Sequence, residues 1–161
     1  MEDLLKNQKT LMLSTITKNH EPAISYAPYI MKASDIYIYI SQTANHYQNL
    51  MDNPACAIMI IEDEHEAKTI FARQRVSFIA DATHVKEDEE VYQWFKEIQD
   101  AKMVERLRQM DFSFFKLTIK KGRLVKGFGQ ASDIIYENGV PKITPIAVSY
   151  THLTLPTTSR V

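Results

Sequence analysis

The first half of the chain alternates apolar and polar positions with a period of two, which is typical of β-strands. The clearest case is the segment 35–41, where three isoleucines alternate with Tyr37 and Tyr39. Because both faces of this strand are apolar, both are expected to contact protein, as in a barrel wall covered outside by a helix or a second subunit. Similar patterns predict strands over 10–17, 23–31, 55–62 and 75–85, with a polar turn at 18–22.

The second half changes to a helical period. Between residues 87 and 100, Val91, Trp94, Phe95 and Ile98 form one apolar stripe, and four acidic residues occupy the first turn. Negative charge is favourable there because of the helix dipole. Further short helices are predicted over 46–51 and 104–110, and strands over 112–119 and 123–128 with a turn at Lys121-Gly122 between them.

This order of elements predicts an α+β fold, a mainly antiparallel β-barrel with peripheral helices. Helices do not alternate regularly with strands, and the sequence has no glycine-rich phosphate loop. A βαβ nucleotide-binding fold is therefore disfavoured.

Length and charge narrow the class of protein. A chain of 161 residues is long enough for one domain with a real core, and a net charge of −1 argues against a nucleic-acid partner. The sequence shows neither a signal-peptide layout nor an apolar run of membrane-spanning length. We therefore expect a cytoplasmic protein with no membrane partner, in which the single cysteine, Cys56, is a small buried hydrophobe.

The last segment of the chain is expected to be foreign to the domain. Residues 148–157, VSYTHLTLPT, resemble the in-frame translation of a transposase-end adapter used in sequencing libraries. A threonine-rich terminal strand is the alternative. On the adapter interpretation a single domain spans 1–147, residues 148–161 are a non-native tail, and His152 carries no functional meaning.

The most informative segment is 57–78, where an apolar strand is followed by the acidic cluster 62–66 and then by Arg73 and Arg75. Two explanations are open: a solvated corner, or the rim of a pocket for an anionic ligand. Catalytic motifs such as HExxH, CxxC or a P-loop are absent from the sequence, and its histidines form no metal-spaced cluster. Of these, His20 in a turn and His84 at a strand end are expected to be solvated, and His65 to lie at the rim.

A second motif, KGFGQA over 126–131, places two glycines around one phenylalanine at a strand end. Glycine there permits a positive φ, or close approach by a flat ligand or another backbone. A bulge at a barrel corner explains the motif equally well.

Several segments, read together in order and spacing, resemble the haem-utilisation proteins of the HugZ/HutZ type. These proteins lie within the pyridoxamine 5'-phosphate oxidase-like split-barrel superfamily, and the resemblance covers roughly 9–135. The segments are KTL at 9–11, SYAPY at 25–29, IIED at 60–63, EAK at 66–68, FAR at 71–73 with Arg75, and KGFGQA at 126–131.

The resemblance implies a homodimer of split β-barrels that binds haem in a cleft at the subunit interface. It also implies oxygen-dependent opening of the porphyrin ring, which releases iron and takes electrons from an external donor.

The same resemblance assigns roles to individual residues. Arg75 stands where an arginine reaches the distal side of the haem, and its planar donors suit a propionate or bound oxygen. An ion pair with Glu62, Asp63 or Glu64 is the structural alternative. Asp111 is expected to orient the iron-ligating histidine from across the interface, although it also fits a turn or cap residue.

The remaining expected haem contacts are Thr10, near the haem edge, and the glycine motif, Gly127, Phe128 and Gly129. The iron ligand itself should be a histidine near the C-terminus, but 127–147 contains none. The sequence therefore offers no metal ligand at the expected place.

Two other functions stay open. The superfamily also contains FMN-binding oxidoreductases, whose phosphate is held by Arg or Lys at a strand–helix junction. This chain has Ser41-Gln-Thr-Ala-Asn-His46 there, which disfavours FMN, although Lys32 or Arg73 could reach the phosphate. A non-catalytic haem carrier is the third possibility.

Overall fold

Six antiparallel strands close into a barrel in the computed structural model of the protein, which describes residues 1–146. The elements in chain order are α1 (Glu2–Asn7), β1 (Thr10–Ile16), β2 (Pro22–Lys32), β3 (Asp35–Ser41), α2 (Asn45–Asp52), β4 (Ala55–Ile61), β5 (Arg75–Val85), α3 (Glu89–Ile98), α4 (Ala101–Arg108), β6 (Phe112–Gly127), β7 (Gln130–Glu137) and β8 (Val140–Pro145). Two short 3₁₀ turns, Glu64–Glu66 and Ile70–Ala72, lie between β4 and β5.

The strand order is β3-β2-β1-β4-β5-β6, and the first part of β6 pairs back with β3 to close the barrel. The second part of β6 pairs instead with β7, and β8 continues the sheet beyond it. The predicted α+β split barrel with peripheral helices is therefore confirmed. All five strands predicted in the first half of the chain are present, with bounds within two residues.

The strand 35–41 shows why both of its faces are apolar. Its isoleucines point into the barrel core, while Tyr39 points outward and is 2% exposed. The ring of Tyr39 stacks on Phe114 at 4.3 Å between centroids and contacts Tyr92 and Phe95 of α3. The helix expected to cover this wall is therefore α3, which packs with α4 over the outer surface.

One predicted turn is wrong. Lys121-Gly122 does not separate two strands, because β6 is continuous for 16 residues. Gly122 lies opposite Phe78, and a Cβ at this position would overlap the Ser77 carbonyl oxygen and the Phe78 ring. The glycine is thus needed for close packing inside a strand rather than for a turn.

The sequence patterns also missed three elements. Helix α1 buries Leu4 and Leu5 against the barrel and is tied there by the Tyr29 hydroxyl, which donates to the Leu5 carbonyl at 2.6 Å. Strands β7 and β8 form a hairpin in which only Ile134 is fully buried. A hairpin this exposed has little apolar periodicity to reveal it.

Two side chains test the predicted burial. Cys56 is buried, as predicted, and burial raises the pKa of its thiol to about 12. His84 is not solvated as expected. Its ring is wedged edge-on between Tyr47 and Phe115, and its Nε2 atom is buried without a hydrogen-bond partner in residues 1–146.

The predicted foreign tail, 148–161, and His152 within it lie outside the described residues. Within residues 1–146, no helix is both long and apolar enough to cross a membrane.

Candidate functional site

Two of the predicted haem contacts, Thr10 and Arg75, lie at one end of the outer barrel surface. Arg75 pairs with Ile61 across the β4–β5 ladder. The β1–β4 ladder ends at the pair Met12–Met59, and Thr10 lies two residues beyond it on the side toward Ile61.

The side chain of Arg75 points away from the barrel core. Residues Val76, Phe78 and Ala80 of the same strand are buried, so the alternate positions face outward. The Arg75 guanidinium donates one hydrogen bond, from Nη1 to the Arg73 carbonyl oxygen at 2.9 Å. Its other donors have no protein acceptor among the described residues and are open to a ligand.

Arg73 makes the contacts that were the alternative explanation for Arg75. Its Nε and Nη2 donate to the Glu62 carbonyl oxygen at 3.1 and 2.6 Å, and its Nη1 lies 3.7 Å from the Glu64 carboxylate. The Glu62 carboxylate in turn accepts from the Gln74 amide at 2.7 Å. Arg73 therefore closes the loop between β4 and β5, and no acidic side chain in residues 1–146 pairs with Arg75.

The glycine motif forms the turn between β6 and β7, next to this row. Val125 pairs with Arg75, and Gly127, two residues later, pairs with Gln130 across the turn. Gly129 adopts φ 68°, a conformation that favours glycine, whereas Gly127 does not require one. A register shift between Val125 and Gly127 shows that the expected bulge is present as well.

The sequence motifs assign no ligand contact to two exposed apolar residues in the loop before β5. Ile70 and Phe71, in the second 3₁₀ turn, are 66% and 81% exposed, and Phe128 in the glycine turn is 56% exposed. The 3₁₀ turn contacts β6. The signal was the pair of large apolar residues inside an otherwise polar loop, 62–75. Together the three side chains give the site an unpartnered apolar edge.

Asp111 lies at the opposite end of β6, and its carboxylate Oδ2 is engaged within its own turn. Its carboxylate accepts from the Ser41 hydroxyl at 2.8 Å and from the Thr43 amide at 3.2 Å, and its carbonyl accepts from the Gln42 amide. The hydrogen bond from Ser41 is the largest factor that holds the pKa of Asp111 below its usual range. Within one protomer, Asp111 therefore makes the contacts of a turn residue, which was the alternative to its role at the haem.

The structure therefore does not bring Asp111 together with Arg75 in a single protomer. The two positions are separated by most of the 16-residue strand β6. Among the described residues, His, Cys, Asp and Glu side chains form no group of three that could hold a metal ion.

The junction before α2 contains one further polar pair. His46 Nδ1 lies 2.7 Å from the Ser25 hydroxyl, which also lies 3.4 Å from the Leu13 carbonyl oxygen. Burial lowers the pKa of His46, so the ring favours its neutral form. This histidine is a poor substitute for the cations that an FMN phosphate requires.

Comparisons with known proteins agree with the fold and the motifs. The family described as pyridoxamine 5'-phosphate oxidase matches residues 1–126. HutZ of Vibrio cholerae, named a heme oxygenase, is 38% identical over 140 residues, covering 83% of this chain and 78% of HutZ. The chain belongs to the HutZ group of the pyridoxamine 5'-phosphate oxidase-like family.

Solved structures of this group show the same architecture. ChuZ of Campylobacter jejuni superposes with a TM-score of 0.79 at 32% identity, covering 91% of this chain. This chain spans only 60% of the ChuZ chain. The crystal structure of Vibrio cholerae HutZ, described there as a heme storage protein, gives a TM-score of 0.70 at 33% identity, covering 78% of this chain and 92% of HutZ.

Proposed function

We propose that this protein binds haem on the outer barrel surface around Arg75 and degrades it with oxygen, releasing iron. The observation that carries the proposal is the contrast within the arginine pair. The guanidinium of Arg73 is used by hydrogen bonds within the loop, whereas Arg75 faces outward and has unused donors beside an apolar edge. Membership of the HutZ group, which includes a protein named heme oxygenase, supports the same ligand.

The residues at this end fit the chemistry of haem. A porphyrin is a flat apolar ring with two carboxylates. Exposed Phe71 and Phe128 can contact the ring, and the guanidinium of Arg75 can donate two parallel hydrogen bonds to one propionate. Haem is the substrate here, and its iron supplies the redox chemistry with oxygen while an external donor supplies electrons.

A second subunit completes this site in the proposal. The outer faces of β1, β2 and β5 carry exposed large apolar side chains, Met12, Ile24, Tyr26 and Ile79. Monomeric proteins rarely leave such a patch in contact with water. We therefore propose a homodimer in which this surface is covered and Asp111 reaches the haem of the partner, where its carboxylate orients the iron-ligating histidine.

The C-terminal histidine expected as the iron ligand does not occur between Gly127 and Ile146. At Ile146 the backbone amide donates to the Ala131 carbonyl oxygen at 2.9 Å, which places the end of β8 beside the glycine turn. A native segment that follows β8 and carries a histidine would therefore begin at the end of the barrel where the glycine turn lies.

FMN is the second candidate ligand, and the position of Asp111 argues against it. The hydroxyl and amide donors of the turn before α2, from Ser41 and Thr43, are already occupied by the Asp111 carboxylate. A phosphate at this turn would have to displace a negative charge, and the segment 41–46 itself carries no lysine or arginine. The other alternative, a haem carrier, finds support in the description of HutZ as a heme storage protein.

Adding haemin to the purified protein separates these functions. The oxygenase proposal predicts a Soret band that bleaches when ascorbate and oxygen are present, together with ferrous iron trapped by a chelator. A Soret band that persists under these conditions supports the carrier. Yellow protein with flavin absorbance as purified contradicts both haem functions.

The same assay tests the missing ligand. For this chain we expect weak or altered haem coordination, and recovery when a native C-terminal segment with a histidine is joined after residue 147. A normal six-coordinate spectrum from the present chain would show that the iron ligand lies elsewhere.

A further inference from the structure

A cavity of about 630 Å³ lies apart from the residues of the proposed haem site. It is bounded by α1, the β2–β3 turn, the end of α3 and the β7–β8 hairpin. Thr10, Arg75 and Phe128 do not line it. Its volume is within the range of small-molecule sites, about 300–1,000 Å³.

The inner wall of the cavity is apolar and already fixed. Leu5, Tyr29 and Ile30 form its buried floor, and Met31 and Ile98 lie beside them. The Tyr29 hydroxyl donates to the Leu5 carbonyl oxygen, so it cannot donate to a ligand as well. Apolar walls favour an apolar ligand because burying its surface gains about 25 cal/mol per Å².

Hydrogen bonds between elements keep these walls in place. The Lys9 amine donates to the Ile98 carbonyl oxygen at 2.9 Å, and the Gln99 amide donates to the Lys9 and Tyr29 carbonyl oxygens at 3.0 and 2.8 Å. The end of α3 is thereby tied to both β1 and β2. The cavity is preformed, so a ligand does not have to order its walls on binding.

The hairpin supplies the opposite wall. Gly139 at its tip has φ 78° and lies against Ser34 of the β2–β3 turn, where an added Cβ would come within 3.0 Å of the serine hydroxyl. Tyr136 packs edge-on against Phe78 and lines the cavity. Its hydroxyl has no hydrogen-bond partner among the described residues, and burial raises its pKa, so it remains a protonated donor.

Charges of both signs surround the cavity. Lys6, Lys9 and the amino group of Met1 are positive, and Glu2 and Glu97 are negative. A charged ligand would meet groups of its own sign as well as of the opposite sign, while it still lost its hydration on entering the apolar part. The lining therefore favours a molecule without net charge.

We propose that this cavity binds an uncharged, largely apolar small molecule, with the Tyr136 hydroxyl as its polar contact. The inference does not depend on haem chemistry, because none of the proposed haem contacts takes part. Its failure would leave the proposed function untouched.

The charge claim is tested with two fluorescent probes that share one skeleton. N-Phenyl-1-naphthylamine is uncharged, and 8-anilinonaphthalene-1-sulfonate carries one sulfonate. We expect the uncharged probe to bind the full chain at least about tenfold more tightly, which corresponds to about 1.4 kcal/mol. Equal or tighter binding of the sulfonate would overturn the claim.

The location is tested by the methionine methyl groups in an NMR titration with the uncharged probe. Met31 lines the cavity, whereas Met12 and Met59 lie on the outer barrel face. The proposal predicts a shift for Met31 and none for the other two. Shifts of Met12 and Met59 without Met31 would place the probe on the outer face and contradict the proposal.

A filling substitution gives the third test. Ile98→Trp puts a larger ring at the cavity and is expected to weaken the uncharged probe at least about tenfold. Met103→Trp, which places the same ring on the exposed side of α4, is expected to leave the affinity unchanged. If Ile98→Trp does not fold, Pro141→Trp on the hairpin side replaces it. A folded filling variant with unaltered affinity would overturn the site.

Discussion

The two ends of strand β6 differ in how completely their polar groups are used. At the Gly127 end, Arg75 donates one hydrogen bond to a carbonyl oxygen and exposed Phe71 and Phe128 lie nearby. At the Asp111 end, the carboxylate accepts from a hydroxyl and from an amide within its own turn. The first end has unused donors and apolar surface for a ligand. At the second, which we call the closed end, the donors of the turn are already paired with Oδ2 of Asp111.

The contrast shows that charge in the sequence does not by itself locate a binding site. Arg73 and Arg75 are two residues apart and chemically identical, yet the loop uses one and leaves the other outward. The hydrogen bonds of Arg73 hold the loop between β4 and β5, whereas an unpaired charge beside apolar surface can select a ligand.

The middle of β6, around Gly122, connects the two ends. A substitution that disrupts its packing is expected to have the largest effect on the free energy of unfolding. In Gly122→Ala the new methyl group would overlap the Ser77 carbonyl oxygen and the Phe78 ring, and backbone cannot easily move away. We expect a loss of about 2–3 kcal/mol in the free energy of unfolding, measured by urea denaturation. Gly127→Ala is the control. Its nearest neighbour is the flexible Gln130 side chain at 3.3 Å, and the loss should be under about 1 kcal/mol. Equal losses would contradict the close-packing explanation.

Replacing each of the two arginines separately by methionine tests the contrast at the Gly127 end of β6. Arg75→Met is expected to weaken haemin binding about tenfold, because a charge-assisted hydrogen bond to the ligand is lost. Its free energy of unfolding should change by less than about 0.5 kcal/mol. The measurements are a haemin titration followed at the Soret band and urea denaturation.

Arg73→Met is the matched variant and should show the opposite pattern. It removes two hydrogen bonds to the Glu62 carbonyl oxygen, so stability is expected to fall by about 1–2 kcal/mol. Weaker haemin binding in Arg73→Met than in Arg75→Met would reverse the assignment of the two residues.

The sequence was sufficient for the barrel because its strands follow a clear period of two. The strand 35–41 even indicated that a helix or subunit covers its outer face, and α3 does so. The hairpin β7–β8 could not be predicted in the same way, since its residues are mostly exposed. In the sequence, a glycine next to lysines predicts a turn. That Gly122 serves close packing inside a strand is clear only once its neighbour, Phe78, is known.

For the candidate site, the resemblance predicts residue types, and the positions of these residues come from the structure. The family resemblance named Thr10, Arg75 and the glycine motif, and the register places them at one end of the barrel. Sequence reasoning could not divide Arg73 from Arg75, because both lie near the same acidic cluster and only side-chain direction separates them. Helix α4 begins three residues earlier than predicted. Its capping residue is Asp100, whose side chain accepts from the amides of Lys102 and Met103.

At the closed end, the pH dependence of Asp111 should report its hydrogen bonds. Its pKa is lowered in the folded protein, so its contribution to stability is fully present above the ordinary carboxyl range. This contribution is lost as the pH falls through the folded value. Asp111→Asn should therefore lose stability at neutral pH, by less than Gly122→Ala, and should flatten the acid part of the curve. Ser41→Ala removes the hydroxyl donor and should have a similar but smaller effect. Unchanged acid dependence in both variants would show that the network does not stabilise the turn.

The smallest effect is expected at His46, beside the same closed end. Burial lowers its pKa from 6.5, so the unfolded chain binds a proton more readily than the folded one. Stability should therefore be highest above pH 6.5 and should fall as the pH drops from there toward the folded value. His46→Gln keeps a polar partner for Ser25 but cannot titrate, and its loss of stability between pH 7.5 and 5.5 should be smaller than that of the unaltered chain. His20→Gln, at an exposed turn, should follow the unaltered chain. Parallel curves for His46→Gln and the unaltered chain would mean that protonation of His46 does not lower the free energy of unfolding. The contact between His46 and Ser25 would then stabilise the fold less than the contacts of Asp111 do.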